Sequence, residues 1–169
     1  RDPRAECGEA EAVRDDARQL RFMDWMHTNN SPQSDWQDRP QVDDFSWNQG
    51  GVPLDIMVAL ANKFGADPWL NIPHMATDEY VENFAAYVRD NLDPGLVANV
   101  EYSNETWNFN FGQYVWLAAQ AQAEWGVTGG DAWIQYSAKR ATEVAMIWDE
   151  VFGSQADARV YNVIGLQAG

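Results

Sequence analysis

Short apolar runs alternate along this chain with stretches of helical period, and each exchange is marked by a proline, a glycine or a capping residue. That alternation constrains the fold more than any other feature. Gln19–Met26 reads as a strand, with Leu20, Phe22 and Asp24 on one face and Arg21, Met23 and Trp25 on the other. Pro53 opens a helix with Asp55 in its first turn; Leu54, Met57, Val58, Ala61 and Phe64 share one side, and Gly65 stops it. Asp67–Pro73 is a second, buried strand. Thr77 caps another helix, whose inward stripe is Tyr80, Val81, Phe84, Ala85, Val88 and Leu92, before Asp93-Pro94-Gly95 turns the chain. A third strand lies in the segment Val97–Asn108 and ends by presenting Asn104 and Glu105, with Trp107 just beyond. Helical patterns follow over about 112–125 and 131–152, ended by Gly126 and Gly153, and 159–167 closes as a fourth strand.

Strands and amphipathic helices in this order predict βαβ units and a parallel sheet. The expected class is α/β, in one domain spanning 1–169 with a polar stub at 1–18, where Glu9–Arg18 has helical character. The 169 residues suffice for a core. A closed eight-stranded α/β barrel typically takes about 250. With Arg1 in place of an initiating methionine, the chain is expected to be part of a longer domain.

The 26 acidic residues against 11 basic ones give a net charge of −15, which repels phosphate backbones and makes nucleic acid an unexpected partner. No run of eighteen apolar residues is present to span a membrane, and no secretory leader pattern opens the chain. The single Cys7 excludes an internal disulfide. Two histidines without an HExxH or cysteine cluster do not make a catalytic zinc site, and Asp35, Asp38, Asp43 and Asp44 lack EF-hand spacing. No metal or cofactor is expected. Signatures of an esterase elbow, a phosphate loop or a dinucleotide fold are missing. Nine tryptophans exceed what a core this size needs, so some are expected to line a binding surface. The long segment 27–51, with Trp36, Phe45 and Trp47 among polar residues, reads as a packed functional loop.

Ligands of parallel α/β folds bind at the carboxyl ends of the strands. Those ends carry Asp24-Trp25, then Asn71 and His74, then Asn104-Glu105-Thr106-Trp107, then Gln167. A carboxylic acid that protonates a leaving oxygen, an amide that holds a hydroxyl and an indole that stacks on a pyranose are the parts sugar-cleaving chemistry uses.

The segment SNETWN after an apolar strand resembles the Asn-Glu signature on the fourth strand of the large (β/α)8 glycoside hydrolase superfamily, clan A type. Together, RFMDWM, GVPLDIMVALANKFGADPWLNIPHM and VEYSNETWN resemble secreted microbial proteins often described as cellulose-binding and built on that barrel. The likeness runs from Leu20 to Gln167. It implies a partial TIM barrel, about strands 2–5, with Glu105 as general acid/base and Asn104 on the substrate's 2-hydroxyl. It also implies a retaining mechanism whose nucleophile, a second Glu on the seventh strand, lies beyond Gly169. A polysaccharide or oligosaccharide is then the expected partner, and an extracellular setting the expected location. The missing strands, or self-association, are expected to cover the open sheet edges.

Each residue has a plainer alternative. Glu105 as a solvated loop carboxylate, Asn104 as a turn former, His74 in a structural role and Asp24 as a buried ion-pair partner stand beside their substrate-binding readings. Trp25 is a substrate contact on the same reading, and Trp36, Trp47 and Trp107 are sugar platforms or core. Glu101 is expected to pair with Arg21 rather than react. Trp69, Trp133 and Trp148 are expected in the core. The Asn104-Glu105-Thr106 glycosylation sequon is read as coincidence, since a glycan there blocks the site. A non-catalytic carbohydrate-binding barrel is the alternative to an enzyme.

Overall fold

A computed structural model describes residues 17–167 of the chain. The helical expectation at Glu9–Arg18 falls almost wholly outside them, and Cys7 does so entirely. Four strands, β1 (Gln19–Arg21), β2 (Asp67–Ile72), β3 (Ala98–Tyr102) and β4 (Val160–Val163), form one sheet in the order β1-β2-β3-β4. Every neighbouring pair is parallel. The helices are α1 (Leu54–Phe64), α2 (Asp78–Asn91), α3 (Gly112–Trp125), α4 (Ala132–Phe152) and the single turn α5 (Ala156–Arg159). This is the α/β alternation read from the periodicities.

The strand register separates two faces. Leu20, Pro68 and Ala98 lie in one row and Leu70 and Val100 in the next, all on the apolar side. Leu20, Leu70, Ala98 and Val100 join Met57, Val58 and Ala61 of α1, Val81, Phe84 and Val88 of α2, and Val144, Trp148 and Phe152 of α4 in one core. Trp148 is fully enclosed and stacks on Phe152 at 5.6 Å, as its place in the helix interior predicts. Truncating a buried ring of this kind typically costs about 3–5 kcal/mol. α2 starts where Thr77 accepts a hydrogen bond from the Tyr80 N–H at 3.2 Å, with Asp78 and Glu79 in its first turn complementing the helix dipole.

Two strands are shorter than expected. β1 stops at Arg21 instead of Met26, because the Met26 N–H donates to the Phe22 carbonyl at 2.9 Å and the His27 N–H to that of Asp24 at 3.1 Å. Phe22 and Met26 are both buried, and their burial favours the turn over a continued strand. β4 covers Val160–Val163, and Ile164, Leu166 and Gln167 leave the ladder exposed.

The long loop is packed only in its first part; residues 42–46 and 48–50 are exposed and Phe45 is open to solvent, which corrects the packing expected of the whole segment. The Ser34 hydroxyl donates to the Met75 carbonyl, the Thr77 N–H donates to the Ser34 carbonyl, and the Tyr80 hydroxyl donates to Gln33 Oε1 at 2.7 Å. These bonds hold the loop over the amino end of α2. α3 crosses the first turns of α4, where Tyr114 meets Trp133 at 5.4 Å and Glu124 pairs with Lys139 at 3.2 Å. α4 is the crossover helix. It begins beside Thr106, whose hydroxyl is 3.2 Å from that of Ser137. It ends near Arg159, which donates to the Leu92 carbonyl just past α2 at 2.7 Å.

Candidate functional site

The second face of the sheet is polar. Arg21, Trp69 and Asn99 form one cross-strand row and Asn71 and Glu101 the next. Glu101 is only 4% exposed, yet its Oε2 accepts from Arg21 Nη2 at 3.0 Å, Trp69 Nε1 at 2.9 Å and Asn71 Nδ2 at 2.9 Å. The expected Arg21–Glu101 pair is therefore formed. Three donors on one oxygen compensate the loss of hydration that burial imposes on a carboxylate. The Arg21 guanidinium also lies 4.9 Å from the Trp69 ring centroid. Trp69, expected in the core, is instead half-buried on this polar face, where Glu101 gives its N–H a partner. Gly165 completes the enclosure: a Cβ there would sit 2.5 Å from Glu101 Oε1.

β3 then delivers the Asn-Glu pair. Ser103 and Glu105 both take left-handed backbone conformations, with φ of 57° and 41°. Such geometry typically costs about 1 kcal/mol or more per residue and persists only where the surroundings impose it. Here the Ser103 N–H completes the ladder to the Ile72 carbonyl at 2.8 Å, and the Ser103 carbonyl accepts from Asn71 Nδ2. Asn104, between the two, is fixed at every polar side-chain atom and at its carbonyl. Its Oδ1 accepts from Arg21 Nη2 at 3.0 Å, its Nδ2 donates to Asn29 Oδ1 at 3.1 Å, and its carbonyl accepts from Gln113 Nε2 at 2.8 Å. Its near-complete burial fits the reading of the sequon as coincidence.

Glu105 is partly exposed, and its Oε2 accepts from Asn108 Nδ2 at 2.9 Å. Oε1 has no hydrogen bond of its own among the described contacts of this side chain. The Asn108 N–H closes the turn onto the Glu105 carbonyl at 2.9 Å. The carboxylate thus emerges from a hydrogen-bonded turn.

The other predicted positions divide. His74 is buried, with its ring edge-on to Trp116 at 5.7 Å and its carbonyl accepting the Tyr102 hydroxyl at 2.7 Å. Burial without a partner for Nδ1 pushes its pKa down to about 4, so the imidazole is neutral at physiological pH. Asp24 is exposed, which corrects the buried ion-pair alternative. Trp25 stands 46% exposed on the same turn, tilted against Phe22. Trp36 packs edge-on to Tyr80 at 5.5 Å, with Arg39 lying 4.0 Å over its ring. Trp47 donates its indole N–H to the Gln41 carbonyl at 3.2 Å. Trp107 is half-buried and lines an open cleft together with Trp133, which is half-buried and not enclosed in the core as expected.

Sequence reasoning passed over Phe45 as a separate contact and missed Phe109. Both are large apolar side chains left open to solvent, one on the long loop and one just after the Asn-Glu turn. A phenylalanine set between asparagines, as in Asn108-Phe109-Asn110, is the signal that was present.

Among the described residues, no three His, Cys, Asp or Glu side chains converge as a metal site, and no helix is long and apolar enough to cross a membrane. No known protein family, curated protein or solved structure matches the chain.

Proposed function

We propose that the chain forms four adjacent strands of a (β/α)8 barrel that acts on a polysaccharide as a retaining glycoside hydrolase, with Glu105 as general acid/base. The observation that carries this reading is the presentation of Glu105. It leaves the carboxyl end of β3 on left-handed backbone, directly after an asparagine held by Arg21, Asn29 and Gln113. One Asn104 N–H is used by Asn29, which leaves the second for a sugar hydroxyl. Oε1 of Glu105 is the oxygen available to a glycosidic leaving group.

Two features support the barrel. Strand order follows chain order, with every pair parallel. Right-handed crossovers then place all helices on one face, whereas a doubly wound sheet reverses its strand order to place them on both. The opposite face carries the Arg21, Trp69, Asn71 and Glu101 network, the polar lining such an interior uses near its rim.

A retaining mechanism needs a second carboxylate about 5 Å from the acid/base. Glu101 is committed to three donors and does not fill that role. The proposal places the nucleophile downstream of Gly169, and the protein outside the cell, where polymeric glycans occur. In a protein carrying the remaining strands, Glu105→Gln should lower hydrolysis across a polysaccharide panel by about 10²–10⁴-fold. Unchanged hydrolysis refutes the assignment.

A second reading is a carbohydrate-binding barrel without turnover, which needs the amide and aromatic side chains beside Glu105 but no nucleophile. Glycan binding that survives Glu105→Gln, in a parent that hydrolyses nothing, selects it.

A further inference from the structure

Beside Asn104, the turn that follows β1 meets the first residues of α3, and a chain of amides joins them. Asn30 takes left-handed backbone, with φ of 58°, which asparagine tolerates better than most residues. Its Oδ1 accepts from the Gly112 N–H and so caps α3 from outside the helix, where Phe111 supplies no capping side chain. A Cβ at Gly112 would sit 3.1 Å from that oxygen, so the approach suits glycine. The Asn30 N–H in turn donates to Gln113 Oε1 at 3.0 Å.

Gln113 is fully buried, and its side chain is used at both ends. Nε2 donates to Asn29 Oδ1 and to the Asn104 carbonyl, both at 2.8 Å. That carbonyl belongs to the peptide bond that joins Asn104 to Glu105. Asn29 Oδ1 accepts a second N–H, from Asn104 Nδ2 at 3.1 Å, while Arg21 Nη2 reaches Asn104 Oδ1 at 3.0 Å.

An amide can be turned end for end, but this chain of bonds runs in one direction only. A guanidinium and a backbone N–H donate and never accept. Arg21 therefore requires the oxygen of Asn104 to face it, and the Asn30 N–H requires the oxygen of Gln113. Both neighbours then aim nitrogen at Asn29, and only its oxygen answers both. We infer that Gln113 is a positioning residue: with Asn29 it holds the Asn104 amide in a single orientation and anchors the peptide from which Glu105 departs. It acts through Asn104 and touches no reacting group. The assignment rests on the reading of Asn104 and Glu105 given above and adds the residues that orient them.

Two isosteric substitutions separate direction from packing. Asn29→Asp keeps an acceptor facing both nitrogens. Gln113→Glu removes both donors at neutral pH; Asn29 then turns its own nitrogen toward the new carboxylate, and the Asn104 nitrogen loses its acceptor. Proton–nitrogen correlation spectra of the 169-residue chain read the result. In the unaltered chain the side-chain amides of Asn104 and Gln113 should exchange with solvent at least about tenfold more slowly than that of exposed Asn48. Asn29→Asp should keep this protection at Asn104, and Gln113→Glu should lose it. In a protein carrying the remaining strands, Gln113→Glu should lower kcat about tenfold with KM little changed, and Asn29→Asp should retain hydrolysis within about twofold.

Asn104 exchange as fast as that of Asn48 in the unaltered chain overturns the assignment without any variant having to fold. Equal loss of protection in the two variants reduces Gln113 and Asn29 to packing and overturns the direction. Full hydrolysis in Gln113→Glu, where Glu105→Gln is inactive, overturns the positioning role and leaves the glycoside hydrolase reading standing. Unchanged hydrolysis in Glu105→Gln overturns the reading and this assignment together.

Discussion

Arg21 and Asn104, more than eighty residues apart in the chain, meet through a guanidinium nitrogen: Arg21 Nη2 lies 3.0 Å from Asn104 Oδ1 and also 3.0 Å from Glu101 Oε2. One side chain on the first strand thus fixes both the buried carboxylate of the third and the amide that precedes Glu105. Arg21→Met removes both bonds and leaves Glu101 with two donors. Urea denaturation should show a loss of about 1–3 kcal/mol, as when one partner of a partly buried charged hydrogen bond is removed. Glu101→Gln should cost a similar amount. The double variant should lose clearly less than the sum, because the two changes break the same contact. Strictly additive losses would show that the pair is not coupled.

His74 gives the fold a defined acid sensitivity. Its buried imidazole is held down to about 4 by desolvation, while in the unfolded chain it titrates near its ordinary value of 6.5. Between those values the unfolded state binds a proton that the folded state refuses. The contribution of His74 is therefore complete above pH 6.5 and is lost as pH falls toward 4, by at most about 3 kcal/mol. Asp38, held below the usual carboxylate range by the N–H groups of Asp35 and Ser34, is unaffected by a change at His74. Stability measured from pH 7 to 4 should fall less steeply in His74→Phe than in the unaltered protein. Parallel curves would remove His74 as the cause.

Strain at the Asn-Glu turn is measurable at Ser103. Its φ is 57° and its buried Oγ has no hydrogen-bond partner. Ser103→Gly removes the left-handed penalty and the unpaired hydroxyl, offset by greater freedom of the unfolded chain, and should leave stability level or raise it by up to about 1 kcal/mol. Ser103→Val places a β-branched side chain on the same backbone and should lower stability by about 2 kcal/mol or more. Thermal melts that rank valine above glycine would contradict the strain.

Among the described residues, the fourth strand ends the sheet with an unpaired edge flanked by exposed Tyr161, Ile164 and Leu166. An edge of this kind recruits further strands. In sedimentation velocity at micromolar concentrations, the 19.1 kDa chain should associate reversibly, and Tyr161→Lys with Ile164→Lys should return it to monomer. A monomer at all concentrations would show that the edge is inert.

The elements most legible in the sequence were those whose burial follows one period. The α2 stripe from Tyr80 to Leu92 is enclosed throughout, and strand alternation correctly set Arg21 and Glu101 on one face. Legibility failed where a side chain's partner lies far away in sequence. Alternation alone carried β1 on to Met26, but the burial of Phe22 and Met26 is better served by a turn. Trp69 in an apolar run looks like core until Glu101, 32 residues later, supplies an acceptor for its indole. Trp36 reads as a loop platform until Arg39 covers its ring. At the site, the sequence marked Asn104 and Glu105, while the cleft formed by Trp107 with Trp133 depends on where α4 begins and β4 ends.

Because spatial order and chain order coincide in the sheet, each strand after β1 finds its partner already synthesised. No strand waits for a later one to be inserted between itself and its neighbour. The ladder can therefore extend vectorially on the ribosome, each strand adding beside one that has already been made.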